Sequence, residues 1–160
     1  LLALIAIFIY ILIRFRKWQF STGAVAALFH DTMFVISAFA IANLFGISYE
    51  LDQVFIAAIL TIIGYSINDT VVVFDRIREN IGIKAGSELI PVVNESINKT
   101  ISRTLITSMT TFIVVLVLFI FGGASLSSFS FALLIGIIIG TYSSVFIATP
   151  IVVDFYKNKN

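Results

Sequence analysis

Long apolar runs separated by short polar segments dominate this sequence of 160 residues. Residues 51–75 form one such run of about 25 positions, and at about 1.5 Å per residue a helix of that length crosses a hydrocarbon core of about 30 Å. Hydrophobic residues make up 59% of the chain, charged residues only 12%, and the mean hydropathy is +1.09. A soluble domain does not have this balance, so the sequence predicts an all-α polytopic membrane protein.

Five membrane-spanning helices are predicted in a single transmembrane domain that covers residues 1–160. The first run is shorter than the roughly 17–25 residues that a span needs, so we expect it to be the remaining part of a helix whose beginning is absent. Leu89, Val93, Ile97 and Ile101 recur every four residues, which predicts an amphipathic helix on the membrane surface. The predicted spans are about 1–13, 22–45, 51–75, 101–121 and 126–153, and the interfacial helix covers about 87–99.

The distribution of basic residues predicts the orientation of the chain. All ten lysine and arginine residues lie in or beside the first and third connections or in the C-terminal tail. The second and fourth connections contain none, so the positive-inside rule places the C-terminus in the cytoplasm.

Several classes of function are disfavoured by composition. The chain contains no cysteine and a single histidine, His30, so disulfides, thiolate metal sites and a histidine-rich metal site are excluded. The net charge of +1 is spread over short clusters, which disfavours a nucleic-acid partner. We expect no cofactor and no enzymatic activity, and the lipid bilayer is a predicted partner.

Asp69 is the residue in the third run that most needs an explanation. It lies seven residues before Arg76, or about 10 Å below that surface at helical rise. An ionisable side chain at such a depth costs at least about 2.5–3.5 kcal/mol, so it normally faces the interior of the bundle and has a polar partner. Arg103, near the start of the fourth span, is expected at a comparable depth. We predict that Asp69 and Arg103 form a proton-coupling pair, with Arg103 as counter-charge; a buried structural aspartate is the alternative.

Further polar and small residues are predicted around this pair. Asp31 and His30 are adjacent in the second span and point about 100° apart, so only one of them can face Asp69, and we favour Asp31. His30 is read as a hydrogen-bonding tether in preference to a proton carrier. The predicted surrounding polar residues are Asp31, His30, Asn68, Ser66 and Thr107, and the predicted helix-packing residues are Gly64, Gly136, Gly140, Ser143 and Ser144.

Three stretches resemble one known family. They are GYSINDTVVVFDRIREN at residues 64–80, ALFHD at residues 27–31 and GTYSSVFIATP at residues 140–150. The first is similar to the signature of the SecF family, whose members work with SecD in bacterial protein export, either as separate subunits or as the SecF half of a fused SecDF. The resemblance implies an RND-superfamily fold with six spans per half and a periplasmic domain between the first and second spans. The five spans predicted here would match the second to the sixth, and the family's first span and periplasmic domain would be absent.

The resemblance also implies a function. Members of this family are understood to use the proton gradient to help pull preproteins through the SecYEG channel of the bacterial cytoplasmic (inner) membrane. The family's intramembrane aspartate corresponds to Asp69, and the arginine at the head of the next span corresponds to Arg103. The implied partners are SecD or the SecD half of the same chain, SecYEG, YajC or YidC, and the preprotein. The implied coupling ion is the proton, with sodium as the alternative.

Two other functions are compatible with the residues. An RND-type exporter of small molecules or lipids would use the same intramembrane charges. An intramembrane aspartyl protease would use Asp31 and Asp69 as its paired carboxylates. Such proteases place the second aspartate after Gly-x-Gly, whereas Asp69 follows Ile67 and Asn68, so the sequence disfavours the protease.

Overall fold

A computed structural model of the chain describes residues 2–47, 49, 52–84 and 88–157, and all regular structure in that part is helical. Successive helices are joined by short connections and contact one another along much of their length. In chain order the elements are α1 (Leu2–Phe15), α2 (Trp18–Leu44), α3 (Gln53–Ile83), α4 (Leu89–Phe121), α5 (Ala124–Ser143), a π-helical turn (Ser144–Ala148) and α6 (Thr149–Lys157).

Four helical segments are long and apolar enough to cross a membrane. They are α2, α3, α4 and the continuous segment Ala124–Tyr156, which contains α5, the π-helical turn and most of α6. Helix α1 has 14 residues and is shorter than a full span. The predicted all-α polytopic membrane fold is confirmed.

Two predicted boundaries differ from those in the structure. The interfacial helix predicted at 87–99 and the fourth span predicted at 101–121 belong to one continuous helix, α4, although residue 87 itself lies outside the described residues. Helix α3 continues past residue 75 to Ile83. The physical reason is that backbone hydrogen bonds hold a helix together. These bonds continue past the level at which the sequence predicts that the membrane ends.

A capping side chain and a glycine define two of the junctions between helices. The Asp52 carboxylate caps α3 by accepting the backbone N–H of Phe55 at 2.9 Å. Gly123 separates α4 from α5 and has a φ of 74°, a left-handed conformation that glycine adopts without steric cost. Asp52 thus fixes the start of α3, and Gly123 marks the break between α4 and α5.

A π-helical turn accommodates a proline in the last span. Pro150 has no backbone N–H, and its ring would collide with the carbonyl of residue 146 in a regular α-helix. The turn Ser144–Ala148 widens the helix immediately before it, and the Thr149 hydroxyl donates to the Ser144 carbonyl at 2.9 Å. The hydroxyl thereby satisfies a carbonyl near the irregular turn, as a membrane interior requires.

Two apolar clusters pack at opposite ends of the bundle. One cluster lies near the basic connections and the other near the Gly123 turn, and α2, α3, α4 and the last span, Ala124–Tyr156, contribute to both. Between them, the same helices contribute buried polar side chains at one level. The first cluster contains Phe20, Ala24, Ala27, Val73, Phe74, Ile77, Ala148 and Val152 with neighbours from α1 and α4, and the second contains Val35, Phe39, Phe55, Ala58, Ile62, Val115, Ala132, Leu133, Leu134 and Ile137.

Small residues allow α5 to approach α3 closely. A Cβ added at Gly136 would lie 2.4 Å from Cγ1 of Ile62, and one added at Gly140 would lie 3.1 Å from Cβ of Ser66. Gly64 differs from the prediction, because nothing in the described part of the chain lies within 4 Å of a Cβ added there. Gly64 is exposed on α3, so it makes no helix-packing contact with the residues that the structure describes.

Candidate functional site

The candidate site is the polar layer between the two apolar clusters. Helix α3 contacts α2, α4 and α5, so polar side chains at this level of the four helices face one another. Asp31 is 1% exposed and Asp69 is 3% exposed, which places both carboxyl groups in the interior of the bundle. The layer comprises Asp31 on α2, Tyr65, Ser66 and Asp69 on α3, Ser108 on α4, and Thr141 and Ser143 on α5.

Asp31 accepts hydrogen bonds from two other helices. The hydroxyl of Ser66 donates to its Oδ2 atom at 2.6 Å, and the hydroxyl of Ser143 donates to the same atom at 2.8 Å. The Nδ1 atom of His30 lies 3.2 Å from Oδ1, and the His30 side chain is 37% exposed. Both serine hydroxyls are fully buried. Asp31 therefore ties α2 to α3 and α5 in the middle of the membrane-spanning region.

Asp69 has a much weaker set of contacts. The hydroxyl of Ser108 lies 3.5 Å from its Oδ2 atom, at the long end of hydrogen-bond distances. The same hydroxyl lies 2.6 Å from Oγ1 of Thr141 and accepts a hydrogen bond of 3.2 Å from the hydroxyl of Tyr65. Asp69 is thus a buried acid whose one side-chain hydrogen-bond partner among the described residues is shared with two other groups.

Arg103 is not in direct contact with Asp69. Its side chain is exposed on α4, and no ion pair among the described residues joins the two groups. Arg103 is close enough to interact with Asp69 electrostatically. The predicted pair therefore shares one region of the bundle without forming a salt bridge.

The other predicted polar residues occupy different positions. Ser66 and Asp31 lie in the layer, and His30 lies at its edge. Asn68 is exposed on α3 and makes no hydrogen bond through its side chain to the described residues. Thr107 is also exposed, and its hydroxyl donates to the carbonyls of Arg103 and Thr104 in its own helix.

Three residues of the layer were not selected from the sequence. These are Ser108, which contacts Asp69, and Thr141 and Tyr65, which both contact Ser108. The sequence contains a pattern that could have indicated Ser108. Small hydroxyl side chains recur every four residues along one face of α4, and all of them are buried. They are Ser96, Thr100, Thr104 and Ser108.

The remaining predicted packing residues also lie near the layer. Ser144 is buried and donates to the Thr141 carbonyl at 3.0 Å. Ser143 contacts Asp31 and so has a polar role besides packing. Within residues 2–47, 49, 52–84 and 88–157, no group of three or more His, Cys, Asp or Glu side chains has an arrangement that would hold a metal ion. The chemistry that the layer offers is the binding and release of protons by carboxyl groups.

The comparisons with known proteins agree with this architecture. Residues 1–158 match the family described as protein export membrane protein SecD/SecF, C-terminal. The chain belongs to this family. It is 58% identical over 153 residues to the protein translocase subunit SecF of Rhodothermus marinus, and 49% identical over 160 residues to that of Thermodesulfovibrio yellowstonii. These alignments cover 95% and 99% of the chain but 49% and 51% of the relatives, so the chain spans about half their length.

Relatives also include fused proteins and solved structures. The protein translocase subunit SecDF of Brucella abortus is 46% identical over 155 residues, which is 97% of the chain and 20% of that protein. A crystal structure of SecDF in a super-membrane-facing form superposes with a TM-score of 0.85 at 40% identity. It covers 98% of this chain and 20% of the SecDF chain. The fold is therefore that of part of the SecDF membrane region.

Proposed function

We propose that this chain is the membrane portion of an accessory subunit of the Sec preprotein translocase that uses the proton motive force to promote protein export. Support comes from relatives that are named protein translocase subunits and from the match to SecDF structures. The proposed partners are SecD or a SecD half of the same polypeptide, the SecYEG channel with YajC or YidC, and the preprotein. The proposed location is the bacterial inner membrane with a cytoplasmic C-terminus, as the basic connections indicate.

Asp69 is the proposed proton-binding group, and its burial with a single long hydrogen bond carries the proposal. A buried carboxyl with few donors holds a negative charge poorly, whereas a carboxyl with several donors holds it well. Asp31 has two hydroxyl donors at short distance and Asp69 has one at long distance. Protonation and deprotonation are therefore expected to change the hydrogen bonding and the electrostatic interactions around Asp69 more than those around Asp31.

Arg103 is the proposed counter-charge. An ionised Asp69 attracts the guanidinium, which cannot lose its own charge, and a protonated Asp69 attracts it much less. Among the described residues the exposed Arg103 makes no ion pair, which is the arrangement expected when Asp69 is protonated. One charge that crosses 100 mV supplies about 2.3 kcal/mol, enough to bias two packings of similar free energy.

The alternative functions receive less support. Asp31 and Asp69 bind different hydroxyl groups and make no hydrogen bond to each other, whereas an aspartyl protease needs two carboxyl groups that share one proton. The relatives are named as translocase subunits, which favours protein export over the export of small molecules or lipids. We propose the proton as the coupling ion in preference to sodium, because an arginine close enough to interact with Asp69 disfavours a cation site there.

The test is export by the full-length protein in complex with its SecD partner. Asp69→Asn and Arg103→Met are expected to abolish the part of preprotein export into membrane vesicles that depends on an imposed proton gradient. Asp154→Asn is the matched control, since it makes the same change at an exposed acid outside the polar layer. Gradient-dependent export at the parent level in both site variants would contradict the proposal.

A further inference from the structure

The hydroxyl of Ser108 has one hydrogen and two possible acceptors. It lies 2.6 Å from Oγ1 of Thr141 and 3.5 Å from Oδ2 of Asp69. Thr141 donates its own hydrogen to the carbonyl of Ile137 at 2.8 Å. Because each hydroxyl has a single hydrogen, Ser108 is the donor to Thr141 when Thr141 donates to Ile137, and Ser108 is free to donate to Asp69 when Thr141 donates to Ser108.

The direction of that bond determines what Asp69 meets. With its hydrogen directed at Thr141, Ser108 presents lone pairs to Asp69 and to the Tyr65 hydroxyl, which donates to it at 3.2 Å. A carboxyl group that faces a lone pair is stabilised when it carries a hydrogen, since it then donates. Asp31 has the opposite arrangement, because two hydroxyl groups donate to it. The arrangement in which Ser108 donates to Thr141 therefore matches a protonated Asp69, and the arrangement in which Ser108 donates to Asp69 matches an ionised one.

We propose that Ser108 and Thr141 form a hydroxyl switch that couples the protonation of Asp69 to the contact between α4 and α5. The inference rests on the proposed proton-binding role of Asp69. When Asp69 loses its proton to water, the O–H bond of the carboxyl breaks and a negative charge remains on it. The Ser108 hydrogen then turns to the carboxylate, and Ser108 no longer donates the short bond that joins α4 to α5 at Thr141.

The space around the pair allows such a change. Ser108 and Thr141 both line a cavity of about 590 Å³ between α4 and α5, together with Met109, Phe112 and Tyr142. The cavity leaves open volume beside the hydroxyl pair, and Phe112 and Ile137 of the second apolar cluster also line it. Side chains next to the pair therefore have free volume into which they can move when the hydrogen bond changes.

Helices α2 to α5 each contribute a charged or titratable side chain in the region of Asp69. Arg103 of α4 interacts with it electrostatically, Tyr65 of α3 shares its hydroxyl neighbour, and Asp31 of α2 is connected through Ser66, one turn away on α3. Helix α5 contributes Tyr142, which is exposed. Substitution of Ser108 or Thr141 leaves all of these groups in place, so a changed titration would report on the hydroxyl pair itself.

The experiment follows the carbonyl stretching band of protonated Asp69 by infrared difference spectroscopy in the full-length complex with SecD. The band is assigned as the one that Asp69→Asn removes. Thr141→Val, a nearly isosteric change, removes the short acceptor of the Ser108 hydrogen and so frees that hydrogen for ionised Asp69. The pH at which half of the band disappears is expected to fall by about one unit, equivalent to a tenfold change in proton affinity.

Ser108→Ala is expected to shift the same midpoint in the opposite direction. It removes the donor to the ionised carboxylate, and donors to charged groups contribute more than donors to neutral ones. Thr141→Ser should restore the parent midpoint. Thr110→Val is the matched control, because the Thr110 hydroxyl donates only within α4, to the carbonyls of Ile106 and Thr107.

Opposite shifts for Thr141→Val and Ser108→Ala support the switch. Unchanged midpoints, or shifts of both variants in one direction, would overturn it even if Asp69→Asn abolishes gradient-dependent export. Retained export in Asp69→Asn would overturn the proposed function instead, so the two failures are distinguishable.

Discussion

Gly136 offers the sharpest test of how α5 packs on α3. A Cβ added there would lie 2.4 Å from Cγ1, 2.6 Å from Cδ1 and 2.8 Å from Cγ2 of Ile62, so most of a buried side chain would have to move. Overpacking of this kind costs about 1–3 kcal/mol, and the better helix propensity of alanine offsets about 0.5–1 kcal/mol. We expect Gly136→Ala to lower the free energy of unfolding by up to about 2.5 kcal/mol.

Two further variants isolate the cause. Gly64→Ala is the matched control, since nothing in the described part of the chain lies within 4 Å of the added carbon, and it should be neutral or stabilising by up to about 1 kcal/mol. Ile62→Ala removes all three contacting atoms. The double variant Gly136→Ala with Ile62→Ala should be more stable than the sum of the single effects by at least about 1 kcal/mol.

The assay is unfolding of the full-length protein by SDS in mixed detergent micelles, followed by circular dichroism. Equal stability of Gly136→Ala and Gly64→Ala would refute the packing argument, and so would strictly additive effects in the double variant. Either result would mean that α5 does not contact α3 through Gly136.

Two other predictions concern polar contacts and use the same assay. Ser143→Ala removes one of the two hydroxyl donors to the buried Asp31 and should destabilise by about 1.5–3 kcal/mol, whereas Ser37→Ala, whose exposed hydroxyl donates only to its own helix, should change stability by less than about 0.5 kcal/mol. Equal effects would refute the role of Asp31 as a tie between helices. Asp75→Asn breaks the ion pair with Arg14, but the side chains are 44% and 40% exposed, so the loss should stay below about 1 kcal/mol and shrink in high salt. A larger loss of stability that does not depend on salt would contradict the description of this ion pair as exposed and weak.

The level of Asp69 in the membrane was predictable because it follows from run length and from the position of Arg76. Its orientation toward the bundle interior was also predictable, since a carboxyl group that faced lipid would be too costly. The residues that contact Asp69 were harder to predict from the sequence. Six hydroxyl residues crowd the first half of the fourth predicted span, and the sequence does not state which face packs against α3. The structure selects Ser108 and excludes Thr107, because the buried face continues from Thr100 and Thr104.

Helix boundaries and the contacts of individual glycines were also not predictable from the sequence. Lys99 and Arg103 resemble the edge of a span, yet α4 passes through them without a break, because its backbone hydrogen bonds do not depend on the membrane surface. Gly64 and Gly136 lie in similar apolar sequence. Only the positions of neighbouring helices distinguish a glycine that packs against Ile62 from one that is exposed.

The most direct test of the central claim is whether a proton gradient changes the protonation of Asp69. Infrared spectra of the full-length complex in sealed vesicles would be recorded with and without an imposed gradient, in the parent and in Asp69→Asn. We predict a gradient-dependent change in the carbonyl band that the Asp69→Asn variant lacks. A band of constant amplitude in the parent, while export still responds to the gradient, would contradict the account.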